Sequence, residues 1–180
     1  MAARRSNAKV LQVRYNEVVR DGEKEGIFIE PIKDDKLGFW TVHLKNFPPE
    51  SKIEHDLQIL KKKYNIDSIT LKFEFSEEFP IKPPFMYVAS PLFTIDDQKH
   101  VLSDYIMYTG FTFFSGSVCW DILTPGKWSQ IYSIMNLLRQ FKILLIDGGV
   151  RLDTTKEGGY SVDSAKRGYS DILRYHPDWR

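Results

Sequence analysis

At 180 residues, with 42% hydrophobic and 14% aromatic side chains, the chain has the material for one sizeable core, which excludes disorder as its main state. Its 25 Lys and Arg against 24 Asp and Glu leave a net charge of +1, so no polyanionic partner is written over the whole surface and nucleic acid is disfavoured. No apolar run reaches the roughly eighteen residues of a membrane span, and the start, MAARRSNAKV, lacks an apolar signal region; the expected protein is soluble, with no membrane partner, and sits in the cytoplasm or nucleus.

The segment NAKVLQVRYNEVVR (7–20) places Val10, Leu11, Tyr15, Val18 and Val19 on one helical face, and Asp21-Gly22 stops it. GIFIEPI and FWTVHLKNF alternate apolar with polar residues across the turn KDDKLG, which predicts two antiparallel strands. A short helix over 53–63 is predicted before the third strand, SITLKFEF, whose Ile69, Leu71, Phe73 and Phe75 point to one side. The prolines of FPIKPPFMYVASP remove ladder donors, so this segment reads as a rigid edge or the entry to a last strand.

Residues 92–118 show little regular pattern, as functional or flexible segments do. Ser133 is a candidate N-cap for a helix with Ile134, Leu137, Leu138, Phe141, Leu144 and Leu145 on its apolar face, ended by DGG. A last helix starts at Ser161 and runs toward Pro177, with Gly168 as a weak point. The order predicts an α+β fold: a four-stranded antiparallel meander flanked by an N-terminal helix and C-terminal helices, one domain over 1–180 with a helical insertion near 50–66.

Cys119 is the only cysteine, so no internal disulfide can form, and the histidines at 43, 55, 100 and 176 show no zinc spacing with it; no metal site is expected. Isolated intracellular cysteines are most often small buried hydrophobes. Cys119 instead follows a Gly-Ser turn at the end of a long irregular loop, where exposed reactive groups sit.

In GSVCWDIL, with Trp128 in KWS and an apolar helix after it, the chain resembles the ubiquitin-conjugating enzymes. FPIKPP and GFWTVHL resemble two further signatures of that family. The segments HDLQILKKKYNIDSITLKFEFSEEFPIKPPF, ILTPGKWSQIYSI and YSVDSAKRGY are similar to its Q-type subfamily, which shares the helical insertion. The resemblance implies the UBC fold and a minimal catalytic core with little room for that group's large N-terminal extension.

It further implies that Cys119 accepts ubiquitin as a thioester from an activating enzyme and passes it to an acceptor on a protein substrate. A thiol suits this because it attacks as thiolate and leaves well from an acyl carbon. No cofactor is implied, ATP being used by the activating enzyme. The family's HPN triplet is replaced by Thr109, Gly110 and Phe111. Losing one oxyanion donor costs about 3 to 4 kcal/mol in enzymes that depend on it. Thr112, Ser115, Ser117 and backbone N–H groups are candidate replacements, and Phe111 is either a Q-type trait of the site or loop packing.

Suppressing the protonation of an attacking lysine is worth roughly 4 kcal/mol at neutral pH. Tyr160, Ser161 and Asp163, leading into the last helix, and Asp121 stand where the family places groups that orient the lysine. Trp179 matches a C-terminal tryptophan of the Q-type group. An acid-poor site implies that hydroxyl groups or an N-terminal amine accept ubiquitin alongside lysine.

For partners, the resemblance places the activating enzyme and a ubiquitin ligase on the first helix and two loops. Ile81 stands in the first loop, and Ser129, Gln130 and Ile131 replace the family's SPA in the second. Arg4, Arg5, Lys9 and Arg14 suit an acidic partner surface. The competing readings are a non-catalytic member of the fold that binds ubiquitin or scaffolds a complex, and a conjugating enzyme for another ubiquitin-like protein.

Overall fold

The computed structural model of the chain describes residues 2–33, 36–94 and 115–176. Helix α1 (Ala2–Asp21) leads into a meander of β1 (Ile27–Ile29), β2 (Phe39–Leu44), β3 (Ile69–Glu74) and β4 (Phe85–Ser90), antiparallel throughout and in the spatial order β1-β2-β3-β4. Helix α2 (Lys52–Tyr64) fills the connection from β2 to β3. After the meander come β5 (Phe93–Thr94), α3 (Ile134–Asp147), β6 (Arg151–Leu152) and α4 (Val162–Tyr175). The architecture is the α+β layout that the order of elements predicts, a four-stranded antiparallel meander flanked by helices. The short β5–β6 pair has no counterpart in the sequence reading, because two-residue strands carry too few positions to show alternation.

Period-two alternation decides which sheet face is dry. Trp40 lies opposite Phe73 and Phe73 opposite Met86, Val42 opposite Leu71 and Leu71 opposite Val88, and Leu44 opposite Ile69. All of these are buried, in one core with Ile134, Met135, Leu138, Phe141 and Leu145 of α3 and Leu11 and Val18 of α1. Val19, expected on the inward face of α1, is exposed instead. The inward stripe follows the 11, 15, 18 spacing, and one further residue rotates Val19 about 100° away from it.

Caps fix both ends of the insertion. Ser51 Oγ accepts from the N–H of Glu54 at 3.2 Å, and Asn65 closes α2 in the left-handed region. Within α2, Asp56 is fully buried and accepts from Arg151 Nε at 2.8 Å, Arg151 Nη2 at 2.9 Å and the N–H of Leu152 at 2.9 Å, which staples the insertion to β6. Ser133 caps α3 as expected, accepting from the N–H of Asn136. Lys142 of α3 donates to the carbonyls of Glu25 and Lys45, both at 2.6 Å, and of Asn46 at 3.2 Å, which ties α3 to the open end of the β1–β2 hairpin.

Candidate active site

Strand β4 is an edge of the meander, and the cysteine-bearing segment is laid along it. The N–H of Val88 donates to the carbonyl of Gly116 at 2.8 Å, and Tyr87 bridges to Ser117. Gly116 has φ +78, and a Cβ there would meet the Val88 carbonyl at 2.5 Å and the Tyr160 side chain at 2.6 Å. Only glycine fits a turn both left-handed and wedged between strand and ring. The chain then runs extended, and alternation divides its side chains. Val118 and Trp120 enter the main core, while Cys119 between them packs with Ile172 and Tyr169 of α4.

Cys119 is therefore not exposed, as its loop position led one to expect: its relative exposure is 0%. The reason is α4, which lies on the side of residues 118–120 opposite the core. Four contacts dock the helix. Ser117 Oγ donates to the carbonyl of Ala165 at 2.5 Å, Lys166 Nζ reaches Glu74 at 2.6 Å, the Tyr169 ring meets Phe85 edge-on at 5.9 Å, and Ile172 is buried against the thiol.

Gly168, expected as a weak point of the helix, lies within α4 where the helix passes close to the Ser115–Ser117 turn. A Cβ there would run into Ser115 Oγ, and would stand 2.6 Å from Ser115 Cβ and 2.8 Å from Ser117 Oγ. Burial, helped by the charge of Asp121, pushes the thiol up to about 12 from its ordinary 9.0. Burial also raises the phenol of Tyr169, with charge on Cys119 adding to the effect.

The other expected site residues separate. Asp121 opens a single helical turn two residues after the cysteine, and its main-chain carbonyl accepts from Thr124 Oγ1 at 2.6 Å, a bond that does not use the carboxylate. Tyr160 packs on Gly116, but its hydroxyl accepts from the N–H of Phe93 at 2.9 Å, which makes it a strut for β5. Asp163 lies exposed in the first turn of α4, after Ser161, which caps the helix by accepting from the N–H of Ser164.

Ser115 and Ser117, candidate oxyanion donors, are buried; Ser115 Oγ donates to Ser117 Oγ, which in turn donates to α4. Thr109, Gly110, Phe111, Thr112 and Trp179 lie outside the described residues. Sequence reasoning missed Tyr169 and Ile172. Their signal was present in the 165, 168/169, 172 spacing of the last helix, a stripe that must be covered by something.

Of the residues expected to meet partners, Arg14, Ile81, Gln130 and Ile131 lie on a helix and loops that two hydrogen bonds join. Trp128 Nε1 donates to the carbonyl of Pro80 at 2.8 Å, joining the loop of Ile81 to the loop of Gln130 and Ile131. Ile81 is 75% and Ile131 79% exposed, unusual for isoleucine. Arg14 of α1 reaches the same loop, its Nη2 donating to the carbonyl of Ile131 at 3.4 Å. Among the described residues, no three His, Cys, Asp or Glu side chains come together as metal ligands.

No protein-family model matches the chain. It is 30% identical over 136 residues to the human ubiquitin-conjugating enzyme Q-like protein 1, covering 76% of the chain and 72% of that protein. To the human ubiquitin-conjugating enzyme E2 Q1 it is 30% identical over 154 residues, covering 85% of the chain and 33% of that protein. The chain thus spans about a third of the length of that longer relative. In backbone it resembles the ubiquitin-conjugating enzyme E2 UbcA1 of Agrocybe aegerita at a TM-score of 0.51 and 19% identity, covering 89% of this chain and 91% of that one, a likeness of fold.

Proposed function

Because the chain belongs to the Q-type and Q-like family of ubiquitin-conjugating enzymes, we propose that it carries ubiquitin as a thioester on Cys119 and transfers it to an acceptor on a protein substrate. One observation carries the assignment of the nucleophile: the chain holds a single thiol, and it stands in GSVCWDIL on the turn docked to β4. Thioester carriage with one thiol leaves no other candidate.

In the first step the Sγ of Cys119 forms a bond to the carbonyl carbon of ubiquitin's C-terminal glycine. The thioester to the activating enzyme breaks, and the proton of Cys119 passes to the departing thiolate. In the second step the lone pair of the acceptor attacks that carbon, the C–S bond breaks, and the acceptor's proton returns to Cys119. Neither step draws on a metal or an organic cofactor.

Lysine, hydroxyl groups and an N-terminal amine are all within the chemistry of the site. The only described carboxylate near the thiol is Asp121, and its charge opposes thiolate formation. Lysine therefore gains little help in losing its proton, and an N-terminal amine, whose ordinary pKa is about 8, competes better, whereas a hydroxyl acceptor needs a general base. The activating enzyme and a ligase would dock on the surface that Arg14, Ile81, Gln130 and Ile131 share.

The test is charging with activating enzyme, ATP and ubiquitin on a non-reducing gel. A thiol-labile adduct, absent in Cys119→Ala and replaced in Cys119→Ser by a thiol-stable ester, is expected. An adduct formed only with another ubiquitin-like protein would change the cargo, and none with any would leave a ubiquitin-binding or scaffolding role.

A further inference from the structure

Helix α4 is the only described element that separates Cys119 from the side of the molecule away from the core. Val118 and Trp120 anchor the segment to the core from beneath, while Cys119 faces α4. The docking contacts run along both halves of α4. The first half of α4 is held closely, through Ala165 to Ser117, Lys166 to Glu74, and Gly168 against Ser115. Its second half covers the thiol itself, with Ile172 buried against Cys119 and the Tyr169 ring edge-on to Phe85, beside an apolar cleft of about 440 Å³ that Leu173, Pro84, Leu123 and Pro125 also line.

From these contacts we infer that α4 is an autoinhibitory latch: docked, it shuts the Cys119 thiol away from any acyl donor, and charging proceeds only from molecules in which α4 has lifted off the Ser115–Ser117 turn. The inference rests on the reading of Cys119 as the ubiquitin carrier, and concerns what controls that site. It gives the glycine at 168 a purpose. Any side chain there would wedge the helix from the turn, so Gly168 keeps the resting protein closed. Charging then runs at the rate of the open form multiplied by its population, and a partner that binds α4 in its lifted position would activate the enzyme by raising that population.

Cys119 is the only cysteine, so alkylation by iodoacetamide reads the latch without ubiquitin. The reference is the same chain in denaturant, where the thiol is fully open. The native chain is expected to react at least a hundredfold more slowly than that reference. Gly168→Leu, which drives a side chain into Ser115, is expected to speed the native reaction at least tenfold. Lys166→Glu, which turns the bridge to Glu74 into a repulsion on an exposed side chain, is expected to speed it about threefold.

Circular dichroism and the unfolding midpoint, measured on each variant, separate lifting of α4 from loss of the fold; the exposed position of Lys166 keeps that variant informative if Gly168→Leu does not fold. Native alkylation at the denatured rate would overturn the latch, as would an unchanged rate in a folded Gly168→Leu or, failing that, in Lys166→Glu. Charging by ubiquitin should rise in the same order as alkylation. If alkylation follows the latch but no variant charges, the carrier reading fails and the latch stands; if charging is fast in the native chain and indifferent to both substitutions, the latch fails and the carrier reading stands.

Discussion

The indole N–H of Trp128 donates to the carbonyl of Pro80 at 2.8 Å, and the Trp128 ring lies 6.2 Å from that of Phe79, so one side chain fixes two loops that are about fifty residues apart in sequence. Each of those loops carries an exposed isoleucine, and their relative placement rests on this tie.

Trp128→Phe keeps much of the ring packing and removes the donor. The carbonyl of Pro80 then loses its partner, at a net loss of about 1 kcal/mol. For a chain of this size that lowers the thermal midpoint by about 2 to 4 °C. Thermal unfolding of the pair measures it, and an unchanged midpoint would show that the tie contributes nothing.

Ile81→Asp and Ile131→Asp separate partner binding from folding. Both side chains are mostly in water, so stability should stay within about 0.5 kcal/mol of the parent. If the ligase docks on the surface proposed above, a charge at either position is expected to lower ligase-stimulated discharge at least tenfold while charging without ligase persists. Discharge that ignores both substitutions would move the ligase surface elsewhere.

Asp56→Ala removes the acceptor that pairs with Arg151 and the N–H of Leu152. Because Asp56 is fully buried and its guanidinium partner only partly exposed, the loss is expected at about 3 kcal/mol, measured by urea unfolding. A loss below about 1 kcal/mol would mean that water replaces the carboxylate and that the apolar contacts of Ile53, Leu57 and Leu60, with the bonds of Lys63 and Tyr64 to the carbonyls of Thr154 and Thr155, suffice to hold the insertion.

These contacts mark the boundary of what the sequence displays. Alternation in β2 and β3, the serine caps of α3 and α4, and the GSVCWDIL turn are local, and each is visible within a few residues of itself. Asp56 with Arg151, Trp128 with Pro80, and Gly168 with Ser115 join positions about fifty or more apart, and nothing in either partner's neighbourhood marks the other. The same holds for the state of Cys119. A loop flanked by glycine and serine predicts exposure only if no other element returns to cover it. The element that does so begins about forty residues later, with an inward stripe of Ala165, Gly168, Tyr169 and Ile172 that includes a glycine where a large apolar residue would be expected.

The buried thiol should make stability fall as the solution turns alkaline. Cys119 is pushed up to about 12 in the folded protein from an ordinary 9.0, mainly by burial, with the charge of Asp121 second. Below pH 9 both folded and unfolded chains keep the proton, and the contribution of the buried thiol is fully present. Above pH 9 the unfolded chain releases its proton while the folded chain holds it until pH 12, so stability is lost across that window, at up to about 1.4 kcal/mol per pH unit.

The phenols of Tyr87, Tyr160 and Tyr169, also raised by burial, lower stability over neighbouring pH values. Cys119→Ala retains that background, so the difference between the two proteins isolates the cysteine. Measured by urea unfolding, the parent should lose about 2 kcal/mol relative to Cys119→Ala between pH 8 and pH 10.5. If α4 lifts at a smaller free energy than this, the folded protein ionises through its open form and the difference levels off at the cost of lifting. A difference that does not change with pH would show that the thiol meets water in the folded protein.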